Sequence, residues 1–472
     1  MFINTVYHNG AMKFRVDKDS LGEVKIPSDA YYGAFTARAL KHYKVTGLKS
    51  HKNLIKAYVM IKRSAALANM QLKKLDSKKG NAIIKACDEI LDGSLIDQFV
   101  VDAINSGAGT AFNMNVNEVI ANRALEILGK SKGDYKSINP NDDVNMSQSS
   151  NDTFPTAMHL AILMDVNELV PAINKLIASL RRKAREFSKV AKVGRTHLMD
   201  ALPITLGAEF DAYATAIENA KHAVESARSE LEYVALGGTA VGTGANAPKG
   251  YRVLAIKNLA KISSLILKPA NDMRYALQSR FGVANVSSSL RNLALELIRI
   301  ANDIRLMSSG PIAGLAEINI PAVHAGSSIM PGKVNPSLAE SLNMVCYNVV
   351  GNDISVALAV QAGQFELNVM LPVMVKCVLD SIDMLKNTLP LLAENMIDGL
   401  NANKEKLEAY IEKSLVLVTL LTPYIGYMQA AELYKEALKS NANIRDLVVK
   451  KGLMSKEKVD KILSKKNLLT IE

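Results

Sequence analysis

Apolar residues recur at helical spacing over most of this chain. From Asn53 to about Leu75, and again from Gly80 to Ile90, they return every third or fourth position, until Asp92-Gly93 breaks the pattern. Tyr31-Tyr32-Gly33 opens an earlier helical stretch that runs through Thr36 to Tyr43, after a mixed beginning with turns at Ser20-Leu21-Gly22 and Ile26-Pro27. Thr153-Phe154-Pro155-Thr156 starts a long helix. Pro171 either kinks it or begins the next stretch, which continues to about Val190. Pro203 opens another helix, expected to reach about Leu236. Leu290, Leu293, Ala294, Leu297, Ala301 and Ile304 form one stripe, the spacing a buried bundle helix needs. Two later segments, one ending near Val360 and one from Leu367 to about Leu400, are apolar almost all round. The second is expected to be buried between subunits, and the Met residues of both, Met344, Met370, Met374 and Met384, to be core filling. Beyond Asn401 the chain is charged, with short helical pieces around Lys404 to Lys413 and Ile444 to Lys450. The pattern predicts a mostly α protein.

Composition narrows the class further. The chain has 472 residues, 49% of them hydrophobic, and no Trp, and the length suits about three domains. Its net charge of +11 admits an anionic substrate. Basic runs such as Arg181-Arg182-Lys183 lack interleaved aromatics, so no nucleic-acid partner is expected. Cys87, Cys346 and Cys377 lie far apart, without metal-ligand spacing, and suit buried free thiols in a reducing compartment. No apolar run has transmembrane length and Met1 to Lys13 does not look like a signal peptide, so a cytoplasmic protein without membrane partners is expected.

Polar residues gather in four places. Ser106-Gly107-Ala108-Gly109-Thr110 feeds a helix rich in Asn, a start whose free N–H groups can hold a carboxylate. Asn139-Pro140-Asn141-Asp142 leads to Ser147-Gln148-Ser149-Ser150-Asn151-Asp152, more hydrogen-bonding side chains than a core helix would spend. Gly194-Arg195-Thr196-His197 places an acid/base candidate in a turn between long helices. Gly326-Ser327-Ser328-Ile329-Met330-Pro331-Gly332-Lys333-Val334-Asn335-Pro336 is too broken for helix or strand. It suits a loop that brings N–H groups, a cation and a hydroxyl onto an anion. Gly237-Gly238-Thr239-Ala240-Val241-Gly242 is glycine-rich, yet lacks the Lys of a P-loop and reads as a tight turn.

The four clusters in this order resemble the fumarase/aspartase superfamily of lyases, over nearly the whole chain. The resemblance implies three mostly helical domains, drawn at 1–146, 147–402 and 403–472, the middle one a central long-helix bundle. It further implies a homotetramer whose active sites are each built from three chains, a small dicarboxylate substrate, and no metal or organic cofactor. Ser327 resembles the family's catalytic base, Thr196 and His197 its Thr-His pair, and Glu340 the acid that partners the His. Ala108, Gly109, Thr110, Ser149, Ser150, Asn151, Ser328, Lys333, Val334 and Asn335 match substrate-binding positions. Asn139, Pro140, Asn141 and Asp142 match a secondary anion site of many fumarases, with Asn139 in place of its His. His159, His222 and His324 match no functional position.

Two substrates divide this family branch. Ser149-Ser150-Asn151-Asp152 reads like fumarases, where aspartases usually carry Ser-Thr-Asn-Asp, and the glycine-rich Leu236 to Gly244 also looks fumarase-like. Ala108, standing where fumarases usually carry Ser, and Gln361 to Met370 lean towards aspartases. The strip that meets substrate decides the expectation: fumarate hydratase, with aspartate ammonia-lyase as the alternative and a non-catalytic helical scaffold behind both.

Overall fold

The computed structural model describes residues 13–326, 328–464 and 467. It is mostly helical. The chain opens with an antiparallel hairpin, β1 (Phe14–Asp19) and β2 (Gly22–Pro27), where the sequence showed only turns. Four helices follow: α1 (Ala34–His42), α2 (Lys52–Gln71), α3 (Ser77–Leu91) and α4 (Thr110–Ile127). Then comes α5 (Ser150–Glu186), which runs unbroken through Pro171 for 37 residues, or about 55 Å. It buries residues along most of its length, from Phe154 to Leu180.

Where a helix from Pro203 was expected, the chain first makes a second hairpin, β3 (Ala191–Thr196) and β4 (Met199–Thr205). Only then does α6 (Leu206–Ala227) begin. Next are α7 (Tyr251–Ser263), the short α8 (Met273–Gln278) and α9 (Phe281–Met307), whose six stripe residues are all buried as predicted. The Gly326–Pro336 stretch, hereafter the signature loop, leads into α10 (Ser337–Gln361), followed by α11 (Leu371–Leu392) and short helices as far as Ile462.

The chain divides into two compact units. One comprises 1–169, 223–291 and 348–383, with α2 packed on α3 and α7. The other comprises 170–222, 292–347 and 384–472. Both are assembled from separate stretches of chain. In the second unit the C-terminal helices bury Leu417, Leu421, Leu433 and Val448 together with Ala191 and Val193 of β3, which gives the β3–β4 hairpin a rigid base.

The Leu367–Leu400 expectation needs correction. Leu371, Met374, Leu379, Ile382, Leu385 and Leu389 are buried within the chain itself. The exposed apolar helix face lies instead on α10, at Met344, Tyr347, Ile354 and Leu358. Met344 and Met370 are therefore surface residues in one chain, whereas Met374 is core. Cys87, Cys346 and Cys377 are free and buried, as expected. Among the described residues no helix is long and apolar enough to cross a membrane.

Candidate active site

The first unit holds a preformed cradle at the starts of α4 and α5. Ala108 and Gly109 both take positive φ, +54° and +64°, which turns the chain sharply into α4. Gly109 sits against the Phe154 ring so closely that an added Cβ would meet Cδ2 at 1.9 Å. Only glycine allows this approach, and it carries Thr110 to Ser150, whose hydroxyls lie 3.2 Å apart. Ser106 Oγ accepts the Ala111 N–H at 2.9 Å and caps α4.

Buried Asp152 ties the start of α5 to the glycine-rich turn. Its carboxylate accepts from the N–H groups of Ser149 (2.9 Å), Gly237 (3.0 Å) and Thr239 (2.9 Å). The glycine-rich turn is thus an anchor for the Ser149-Ser150-Asn151 strip, and Asn151 Nδ2 adds a bond to the Ala240 carbonyl at 2.8 Å. Burial pushes Asp152 up to about 6, against the pull of those N–H groups and of the Lys62 charge. Lys62, also fully buried, donates to Asn113 Oδ1, Asn145 Oδ1 and Gln148 Oε1 at 2.8 to 3.0 Å. Burial draws it down to about 7, against the Asp152 charge. Sequence reasoning missed Lys62. Its signal was a lysine on the apolar face of α2, three residues beyond Val59 and one beyond Ile61.

Thr110 and the Asn139-Pro140-Asn141 turn line one cavity of about 710 Å³, together with Arg38 and His42. Asn139 uses its side-chain carbonyl to cap the turn, accepting from the N–H groups of Asn141 and Asp142. Arg38 is paired with Asp19 at 2.8 Å.

The second unit carries the remaining matched residues on two exposed elements. Thr196 ends β3, and His197-Leu198 form the two-residue turn, with φ of +57° and +60°. A type I′ turn requires positive φ at both positions, which a His and a Leu adopt only under strain. The hairpin stem is anchored by the buried Glu317 carboxylate, 2.6 Å from Arg195 Nη1 and 3.0 Å from Lys192 Nζ.

The signature loop folds back on itself. An added Cβ at Gly326 would meet the Lys333 carbonyl at 2.1 Å, and its φ is +83°. His324 fastens the loop to α10: Nδ1 accepts the Gly326 N–H at 3.2 Å, while Nε2 lies 3.1 Å from Ser337 Oγ. This clasp gives His324 a task that no motif announced. Ser328, Lys333 and Val334 are exposed and Asn335 is half-buried, whereas Ser327 lies outside the described residues. Glu340, on the first turn of α10, stands 3.9 Å from Arg305, and among the described residues no hydrogen bond joins it to His197.

Metal-ligating types meet at His51, Asp165 and Asp383. Both His51 nitrogens are engaged, Nε2 with Asp383 at 2.8 Å and Nδ1 as acceptor from the Asn53 N–H at 3.2 Å. This cluster is a helix cap whose ring is also hydrogen-bonded to Asp383.

Residues 22–351 match a family model described as lyase, and residues 417–470 one described as fumarase C C-terminus. The chain is 47% identical over 450 residues to an aspartate ammonia-lyase of Bacillus sp, covering 95% of this chain and 96% of that one. It is 43% identical over 458 residues to the aspartate ammonia-lyase of Escherichia coli (strain K12), covering 96% of each. Among solved structures, the class II fumarase of Schistosoma mansoni matches with a TM-score of 0.93 at 38% identity, over 96% of this chain and 98% of that one. A Brucella melitensis protein described as fumarate lyase:delta crystallin bound to cobalt matches with a TM-score of 0.94 at 45% identity, over 97% of this chain and 100% of that one. With family models spanning both the signature loop and the C-terminal helices, the chain belongs to the fumarase/aspartase superfamily of lyases.

Proposed function

We propose that this lyase is an aspartate ammonia-lyase, which the sequence alone ranked behind fumarate hydratase. The observation that carries the reading is full-length identity of 43 to 47% to aspartate ammonia-lyases, against 38% to the class II fumarase structure. A contact supports it. The two stretches that lean towards aspartases touch, the Ala108 N–H donating to the Val369 carbonyl at 2.9 Å.

In this reading Ser327 takes a proton from C3 of aspartate, and the bonding electrons move into the adjacent carboxylate as an aci-carboxylate. That electron pair then forms the double bond while the C–N bond breaks and its pair leaves with nitrogen as ammonia. Lys333, Asn335 and Ser328 hold the doubly charged intermediate more tightly than the ground state, which is where rate comes from. Thr110, Ser150 and Asn151 hold a substrate carboxylate. Thr196 and His197 face the substrate from another copy of the chain, and Glu340 orients the His there. The exposed residues on α10, Met344, Tyr347, Ile354 and Leu358, recur at intervals of three, seven and four and support assembly as a homotetramer.

Ser150 favours the second reading, fumarate hydratase. The methyl it lacks relative to Thr leaves room for a water and is worth only about 1 kcal/mol. The test is the specificity constant of purified protein for aspartate and for malate, followed by the ultraviolet absorbance of fumarate. Aspartate is expected to lead by about a hundredfold or more, or about 2.7 kcal/mol. A malate constant equal or higher moves the assignment to the hydratase.

A further inference from the structure

Arg280, between α8 and α9, is among the described residues the largest fully buried side chain, at 2% exposure. Its Nη2 donates to the Ala276 carbonyl, while Nε has no hydrogen-bond partner among the described residues, and no carboxylate pairs with the guanidinium. Leaving a buried guanidinium without a counter-charge is strongly unfavourable, since the desolvation of the ion is not repaid. Burial draws Arg280 down to about 10, so it stays charged at neutral pH.

The side chain lines a cavity of about 370 Å³ that also meets the first residues of α9, a 27-residue helix. The positive end of that helix adds to the guanidinium charge. The other polar groups there do not cancel it. His159 donates from Nδ1 to the Tyr233 carbonyl at 3.1 Å, and burial with Arg280 beside it pushes the imidazole down to about 3, hence neutral. Asp272 is taken by the Arg274 side chain at 3.0 Å and by the N–H of Arg274 at 2.9 Å. Glu230 is exposed and packs its stem on Gly282. Exposed Tyr233, Tyr275 and Phe281 form an aromatic rim.

We infer that this cavity binds a small oxyanion, a carboxylate, sulfate or phosphate, on the Arg280 guanidinium and the first turn of α9. None of the residues assigned to the reaction lines it. An oxyanion supplies the missing acceptors for a planar fork of N–H donors, the geometry in which arginine outperforms lysine. The site shares elements with the cradle. His159 lies on α5 nine residues beyond Ser150, about 13 Å along the axis, and Tyr233 and Ala235 lead directly into the turn that holds Asp152.

The experiment is thermal unfolding of the full-length protein against inorganic phosphate, sulfate or acetate, at ionic strength held constant with chloride. A saturable rise in midpoint is expected for the wild type and for Lys333→Ala, which removes an anion contact of the proposed reaction but not this one. Arg280→Met is expected to abolish the rise while being at least as stable as wild type without the anion, because an unpaired buried charge has gone. Arg280→Lys, which keeps the charge but loses the fork, is expected to need at least about tenfold more anion for half the rise, a difference of about 1.4 kcal/mol. The tightest of the three anions identifies the class. The inference is overturned if none of them gives a saturable rise in the wild type, or if Arg280→Met retains it. A rise seen only in Glu230→Gln would make Glu230 the natural counter-ion of Arg280 and would equally overturn it.

Discussion

The cradle around Thr110 and the loop from Gly326 to Pro336 both depend on a glycine with positive φ pressed against a neighbour, and they differ in everything that surrounds it. Gly109 abuts the ring of Phe154, inside a buried network where Asp152 is bonded to the Gly237–Thr239 turn and Lys62 to Asn113, Asn145 and Gln148. Gly326 abuts only the loop's own Lys333 carbonyl, with Ile329 and Met330 exposed beside it and His324 as its fastening. One region holds its geometry through the core. The other holds it through a local turn, so it can be disturbed without disturbing the fold. Ground-state binding is expected to reside in the first and rate in the second.

The largest expected effect is on the loop side. Ser327→Ala should lower turnover on aspartate by about a thousandfold or more, over 4 kcal/mol of barrier, with circular dichroism and unfolding midpoint unchanged. A drop of less than about tenfold would remove Ser327 as the base. Next comes the glycine pair, which divides the two regions directly. Gly109→Ala drives a methyl into a core ring and should cost about 3 kcal/mol of stability, read in a denaturant titration. Gly326→Ala should leave that titration unchanged and slow turnover about tenfold to a hundredfold. If both variants lose stability equally, the contrast between the regions fails.

A smaller effect is expected from pH. The Asp152 carboxyl has a folded pKa of about 6, above its ordinary 3.8. A carboxyl raised in this way binds its proton more tightly in the folded state. Its stabilising contribution is complete below pH 3.8 and is lost as pH rises through about 6. Wild type should therefore lose about 2 to 3 kcal/mol relative to Asp152→Asn between pH 4 and 7, measured by calorimetry of the two proteins side by side. The smallest effect belongs to the second hairpin, where Leu198→Gly relieves a left-handed turn residue and should stabilise by about 0.5 to 1 kcal/mol.

Much of this was readable from the chain. The α9 stripe at Leu290, Leu293, Ala294, Leu297, Ala301 and Ile304 is buried as its spacing predicts, because one amphipathic face admits one orientation. The Thr110 and Ser150 hydroxyls, which the sequence left in two separate polar clusters, lie 3.2 Å apart. The β3–β4 hairpin escaped notice because Pro203 reads equally well as a helix start and as an edge-strand residue. The exchange between α10 and α11 has a different cause. A segment apolar all round carries no direction, so periodicity could not say which of the two helices the chain covers by itself. Lys62 and Asp152 were hidden because their importance lies in partners far apart in sequence, joined only by the fold.

The three buried thiols turn the molecule into its own clock. Cys87 and Cys377 lie in the first compact unit and Cys346 in the second, each at most 6% exposed. Burial pushes the Cys87 and Cys377 thiols up, and that of Cys346 to about 12, so an electrophile finds almost no thiolate in the closed protein. Labelling then proceeds at the rate at which the chain opens, and peptide mapping of the modified cysteine tells which unit opened. A wild-type protein with no engineered probe thus reports the local opening of each unit separately, including how far a bound anion or substrate holds it shut.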